Sequence, residues 1–326
     1  MATTCRSPRW SSSRSASLRS KLSRVLITGG AGFIGSHVAE VLTRSGISVR
    51  VLDNLATGKL ENLAHLSGDL EFIEGDLTDT ERLPELLADV SAVVHLAAMV
   101  SVPKSVQDPL GSHQINYVAT LQLLEAMRVA GMSRIVYASS AAVYPVENPN
   151  PHSETDYPDP SSPYGIDKLA GEFALNAYAR LHGLRPTSLR FFNIYGERQD
   201  PTSAYSGVIS IFADRLTAGK PITIYGDGEQ SRDFVYVRDL AALIGRLVQD
   251  SDAPTLMNVG TGTSRTLNQL IETMQSITGK PAYVSYGDAR PGDIKISRAD
   301  VSRLQAYEPG SFTPLEIGLK ALLKCG

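Results

Sequence analysis

The stretch that most constrains the fold is Val25-Leu26-Ile27-Thr28 followed by Gly29-Gly30-Ala31-Gly32-Phe33-Ile34-Gly35. It reads as a short apolar strand, a glycine cluster and the opening of a helix. Phe33, Ile34, Val38, Val41 and Leu42 recur at helical spacing, and Gly46 stops the run. A second strand-like run follows at 49–52. Strand, turn, helix and strand make a βαβ unit, and such units build parallel sheets covered by helices. Further strand-like runs lie at 70–73, 92–96, 134–138 and 186–192, with helical stretches at 81–88, 115–130 and 164–182 between them. The fold class is therefore α/β, a Rossmann-type doubly wound parallel sheet.

Ligands of such sheets sit at the carboxyl ends of the strands. Here Gly29 permits a tight turn, Gly32 lets backbone approach a pyrophosphate, and Gly35 lets helix and strand pack closely. The helix start offers free N–H groups and partial positive charge to the anion, flanked by Phe33 and Ile34. The second strand ends in Asp53, whose carboxylate accepts hydrogen bonds from ribose hydroxyls and repels a 2′-phosphate. NAD is thus favoured over NADP. Asp76, in Gly75-Asp76-Leu77, suits either an adenine contact or a cap on the next helix. His95-Leu96-Ala97-Ala98 ends the fourth strand; Ala97 and Ala98 are small enough for a dinucleotide to come close, and His95 reads as a core-edge histidine.

Tyr164 and Lys168 stand four residues apart on one helical face. Free tyrosine, with a pKa near 10, is a poor base at neutral pH. A neighbouring lysine, together with a nicotinamide cation, is expected to lower that value so that the phenol can take a proton from a hydroxyl. The strand at 134–138 runs into Ser139-Ser140, and either serine can hydrogen-bond the reacting oxygen or satisfy strand-end backbone.

Taken together, the glycine run, Asp53, Gly75-Asp76-Leu77, His95-Leu96-Ala97-Ala98, Tyr137-Ala138-Ser139-Ser140-Ala141-Ala142-Val143-Tyr144 and Tyr164…Lys168 resemble extended short-chain dehydrogenases/reductases. Arg190-Phe191-Phe192-Asn193-Ile194-Tyr195-Gly196 and Gly226-Asp227-Gly228-Glu229-Gln230-Ser231-Arg232-Asp233 carry the resemblance to the NAD-dependent epimerase/dehydratase family further along the chain. Within it, the chain is most similar to the UDP-glucose and UDP-N-acetylglucosamine 4-epimerases. The resemblance implies a bound NAD, a UDP-sugar substrate and a homodimer formed through the helices at 115–130 and 164–182. It implies Ser140, Tyr164 and Lys168 as catalytic residues. It implies NAD contacts from Gly29, Gly32, Gly35, Asp53, Asn54, Asp76, Leu77, Ala97 and Asn116, and contacts to UDP from Asn193, Arg232, Arg290 and Asp293.

Related dehydratases and decarboxylases carry an acid just after the catalytic hydroxyl, where this chain has Ala141 and Ala142. Pro145 replaces the family's usual glycine, which is expected to reshape the following loop. Ser297 matches the position that gates pocket width, a small residue leaving room for an N-acetyl group. The alternatives are a UDP-glucuronate 4-epimerase or decarboxylase, with Arg198 or Arg185 meeting the carboxylate, and a non-catalytic NAD-sensing protein.

Composition narrows the field further. The first 24 residues hold six basic side chains and no acid, so the remainder, with 25 basic and 34 acidic residues, carries −9. So acidic a body argues against a nucleic-acid-binding domain. No apolar run approaches the ~20 residues that cross a bilayer. Cys5 and Cys325 have no partner at metal-ligand spacing, so no metal site is expected. The expected organisation is a disordered basic extension at 1–23, an NAD-binding domain at 24–193 to which segments near 231–260 return, and a UDP-sugar-binding lobe at 194–326. The expected location is the cytoplasm, with organelle targeting by the basic extension as the other reading.

Overall fold

The computed structural model describes residues 23–146, 151–202, 207–289 and 293–324. Both cysteines and Arg290 lie outside these residues.

The strands are β1 (Arg24–Thr28), β2 (Ser48–Asp53), β3 (Leu70–Glu74), β4 (Ala92–His95), β5 (Arg134–Ser140), β6 (Arg185–Phe191), β7 (Asn193–Tyr195), β8 (Ile222–Tyr225), β9 (Ser231–Tyr236), β10 (Leu256–Val259), β11 (Ser264–Thr266) and β12 (Val284–Gly287). The helices are α1 (Phe33–Arg44), α2 (Leu83–Leu87), α3 (Val102–Gln107), α4 (Pro109–His113), α5 (Ala119–Val129), α6 (Pro163–His182), α7 (Val208–Thr217), α8 (Val237–Leu247), α9 (Leu267–Thr278), α10 (Ser302–Tyr307) and α11 (Leu315–Lys324).

Seven strands form one parallel sheet in the order β10-β6-β5-β4-β1-β2-β3. Winding reverses between β1 and β4, which opens the ligand crevice at their carboxyl ends. Strands covered on both faces read as unbroken apolar runs because neither face meets water. In β1, Val25 and Ile27 pack toward α1 and α8, while Leu26 packs toward α2, α5 and α6.

The helix that carries Tyr164 and Lys168 is framed by its ends. Ser162 caps it by accepting from the Gly165 N–H at 3.2 Å, Pro163 opens it, and Gly183 closes it at φ +70°. The stretch expected as one helix at 115–130 is divided: Gln114–Val118 is a π-helical turn and α5 follows. Such a wide turn rotates the side chains before it relative to those after it.

The region beyond residue 193 is more regular than its glycines and prolines imply. It holds five helices among the described residues and two small sheets, β11-β9-β7 and β12-β8. It also supplies β10 to the edge of the main sheet, beside β6, and α8 against α1. No helix among the described residues is long and apolar enough to cross a membrane.

Candidate active site

At the switch point, Gly29 adopts φ +71°, and a Cβ there would stand 2.9 Å from the Ala97 nitrogen. The turns after β1 and β4 therefore touch through bare backbone. A Cβ on Gly35 would lie 2.2 Å from the Gly29 carbonyl oxygen. Helix α1 begins at Gly32 with no side-chain cap and no acid in its first turn. Its leading N–H groups, at Phe33 and Ile34, are thus left to an anion, which is the fit a pyrophosphate requires.

Asp53 ends β2 and is pinned from two sides: its carboxylate accepts from Ala31 N and Leu55 N, each at 2.9 Å. Leu55 sits at φ +56°, a strained setting for a branched residue, and the Asp53 contact helps hold it. Asn54 donates to Asp76 at 2.7 Å, closing the rim between the β2 and β3 ends. Asp76 also accepts from the Thr78 N–H and hydroxyl, so it braces its own turn rather than starting a helix.

Two residues matched to NAD contacts have side chains engaged within the protein. The Leu77 side chain is buried in the core with Leu52 and Leu83. The Asn116 amide is spent on its neighbours, accepting from Met99 N and donating to Met99 O and Ser112 Oγ. It fixes the loop after Ala97 and Ala98 instead of pointing a free amide outward.

His95 is fully enclosed. Thr120 gives its only hydroxyl proton to the Asn116 carbonyl, so it must accept from His95 Nε2–H; Nδ1 then accepts from Thr28. Burial, followed by the Lys168 charge, pushes the His95 pKa down to about 3. In the unfolded chain the ring takes up a proton below about pH 6.5. The unfolded state therefore binds more protons between about pH 6.5 and 3, and stability falls as pH drops through that window. His95 alone is expected to cost about 2 kcal/mol between about pH 6.5 and 5. Urea unfolding at a series of pH values checks this: His95→Gln should show a shallower acid slope, and an unchanged slope would contradict it.

The two serines at the end of β5 divide their roles. Ser139 is buried and donates to Glu172. Ser140 caps the turn at Ala141–Val143, accepting from the Ala142 N–H, and its hydroxyl neighbours Tyr164. That turn leads into Tyr144 with extended backbone (φ −85°, ψ 155°), as a residue before proline requires, while the loop at 147–150 that Pro145 is expected to reshape lies outside the described residues.

Burial pushes the Tyr164 phenol up from its ordinary value, and the neighbouring Ser140 hydroxyl works against that rise. Lys168 is itself buried, which brings its ammonium down to about 8. Its Nζ lies 5.1 Å from the Tyr137 ring centroid and 5.8 Å from that of Tyr164. Without a nicotinamide cation beside it, the phenol is thus held neutral, with the Lys168 ammonium close to its ring.

Further out, Arg232 is committed to the Ser231 and Ile294 carbonyls and to Asp293 at 2.6 Å. These two residues matched to UDP are therefore ion-paired with each other. Asn193 is half-buried at the start of β7. Ser297 is buried, with its N–H on the Ser231 carbonyl at 3.1 Å, beside Arg232. Arg198, a candidate for meeting a carboxylate, instead pairs with Glu40 on α1 and approaches Ser36 and His65. Arg185 starts β6, at the sheet edge opposite the serines.

Comparison with known proteins agrees with this geometry. A model described as the NAD dependent epimerase/dehydratase family matches residues 25–260. A UDP-glucose 4-epimerase of Mycolicibacterium smegmatis is 38% identical over 285 residues, covering 86% of this chain and 90% of that protein. The UDP-N-acetylglucosamine 4-epimerase from Methanobrevibacter ruminantium, solved in complex with UDP-N-acetylmuramic acid, aligns with TM-score 0.88 and 40% identity over 93% of this chain and 98% of its own. The UDP-glucose 4-epimerase of Thermus thermophilus, solved with NAD, aligns with TM-score 0.85 and 37% identity over 92% of this chain and 98% of its own. Matched across most of its length, this chain belongs to the NAD-dependent epimerase/dehydratase family.

Proposed function

We propose that the chain is a UDP-hexose 4-epimerase that interconverts UDP-glucose with UDP-galactose and also UDP-GlcNAc with UDP-GalNAc. The observation that carries this reading is the gathering of Ser140, at the carboxyl end of β5, with Tyr164 and Lys168 on α6, the Lys168 Nζ 5.8 Å from the Tyr164 ring centroid, with alanines at 141 and 142. A proton can be moved there, and no acid follows Ser140 to expel a leaving group.

NAD, held by the turn at 29–35 and by Asp53, supplies a hydride acceptor and donor for the sugar's C4. The protein's own part is proton handling and grip. To act as base Tyr164 must first be the phenolate, the form that the Lys168 charge and a bound nicotinamide cation would favour; it then takes the 4′-hydroxyl proton, directly or through Ser140, and returns it when the sugar is reduced again. Lys168 lends positive charge beside the phenol as that proton leaves. Arg232 and Asp293, opening their mutual pair, hold the UDP portion together with Asn193 and Arg290, and the guanidinium fork suits a diphosphate. Such a cycle is redox-neutral, so NAD stays with the protein.

The engagement of Arg198 by Glu40, and the position of Arg185 at the far edge, weigh against a uronate substrate. The intact Ser140, Tyr164 and Lys168 set weighs against a mere NAD sensor, which needs no base. In this reading the protein is a homodimer through α5 and α6, where Ile166 and Phe173 are more than half exposed.

Substrate width gives a test. A tyrosine in place of the buried Ser297 must take its volume from neighbouring space. Wild type should epimerise UDP-GlcNAc, and Ser297→Tyr should slow that at least about tenfold while leaving UDP-galactose turnover within about threefold. Wild type inactive on UDP-GlcNAc would contradict the N-acetyl part of the reading.

A further inference from the structure

On α6, Tyr164, Lys168 and Glu172 follow at intervals of four and so form one stripe along the helix. Glu172 is buried and lies two turns beyond the reacting phenol. Its Oε1 accepts from Ser139 and from Arg190 Nε at 2.9 Å, and its Oε2 accepts from Arg190 Nη2 at 2.8 Å. Ser139 precedes Ser140 at the end of β5, and Arg190 stands near the end of β6, three residues before Asn193. One carboxylate therefore ties the helix that carries Tyr164 to β5, which ends in Ser140, and to β6, which leads into Asn193 at the start of β7. The Arg190 guanidinium also lies 4.8 Å from the Tyr144 ring centroid, and Tyr144 closes the turn that Ser140 caps.

We propose that Glu172 is a positioning residue for this reaction: through Ser139 and Arg190 it sets the distance at which Ser140 meets the Tyr164 hydroxyl. The inference rests on the epimerase reading for its kinetic consequences, but not for its geometry. A buried ion pair by itself adds little net stability, because desolvation offsets the attraction. What it supplies is direction. The bidentate fork fixes the carboxylate plane, and that plane presents Oε1 to Ser139. On the same face of β5, Tyr137 packs so closely on α6 that a Cβ at Gly171 would stand 2.3 Å from its hydroxyl. Strand and helix consequently have no slack to absorb a lost contact.

Glu172→Gln sets an amide N–H against Arg190 and leaves a buried cation half-paired, so it can fail to fold. Ser139→Ala removes only the link to β5 and keeps the ion pair whole, which makes it the deciding variant. Tyr164 ionisation is read from phenolate absorbance, as the difference between each protein and its Tyr164→Phe counterpart. Since a Ser140 hydroxyl beside Tyr164 favours the phenolate, moving it away should shift the Tyr164 midpoint to higher pH in Ser139→Ala. The kcat should fall about tenfold with KM within about twofold and melting temperature near that of wild type. Added to Ser140→Ala, the same change should cost no further kcat, because the contact it positions is already gone. An unmoved Tyr164 midpoint in Ser139→Ala overturns the inference, whatever happens to kcat. The titration needs no substrate, so it stands even where wild type turns over no UDP-hexose, an outcome that would defeat the epimerase reading alone.

Discussion

Replacing Tyr164 by phenylalanine is expected to lower kcat roughly a thousandfold, the usual weight of one general acid–base group. The ring stays, so packing against Lys168 stays, and only the hydroxyl that meets Ser140 is lost. Bound NAD should be retained at wild-type content and the melting temperature should hold. Steady-state turnover of UDP-galactose, with NAD released by denaturation and quantified, checks both parts. Turnover within about tenfold of wild type would contradict the role given to Tyr164.

The second large effect belongs to Gly35. Alanine there would put its Cβ 2.2 Å from the Gly29 oxygen and 2.6 Å from the Gly30 Cα. Both obstacles are backbone, so no flexible side chain can yield. Helix α1 must move off the turn, and the turn is what meets the pyrophosphate. We expect a loss of about 3 kcal/mol in stability and loss of copurifying NAD. Gly46 provides the contrast. Unlike the helical Gly35 it has positive φ, at +74°, and a Cβ there meets nothing within 4 Å. Gly46→Ala should cost about 1 kcal/mol, the strain of a left-handed alanine, and leave NAD in place. Equal losses in the two variants would show that crowding at Gly35 is not what matters.

Much of the fold is legible in the sequence because two kinds of signal coincide. Strands β1 to β6 are short apolar runs, and α1 and α6 are bounded by glycine, serine and proline in the places helix ends favour. Strand β10 is harder to see. Leu-Met-Asn-Val offers four residues and a buried polar one, and Asn258 is acceptable inside only because Tyr144, Glu154, His152 and Asp300 meet its polar groups. Those partners lie up to 114 residues away, and no local window contains them.

The site divides in the same way. Residue types at fixed spacing, such as Tyr164 with Lys168 or the glycines at 29–35, are visible because chemistry and local geometry demand them together. Glu172 and Arg190 look like ordinary charges until the fold brings them face to face. The direction of the Tyr164 shift is also hidden, because sequence shows a neighbouring lysine but not how deeply the phenol is set. The intramolecular partners of Asn116 and Leu77 are equally invisible, since Met99, Ser112 and Leu52 reach them only through the fold.

The claim beneath all of this is that one sugar carbon, C4 of a UDP-hexose, loses and regains its hydrogen at this site. Incubating the purified protein separately with UDP-glucose and UDP-galactose carrying deuterium at C4 tests it directly. The account predicts that both reactions reach the same mixture of epimers, with the deuterium retained at C4 and none exchanged into water. Failure of the NAD-loaded protein to interconvert the epimers, or interconversion with loss of the C4 label to solvent, would contradict it.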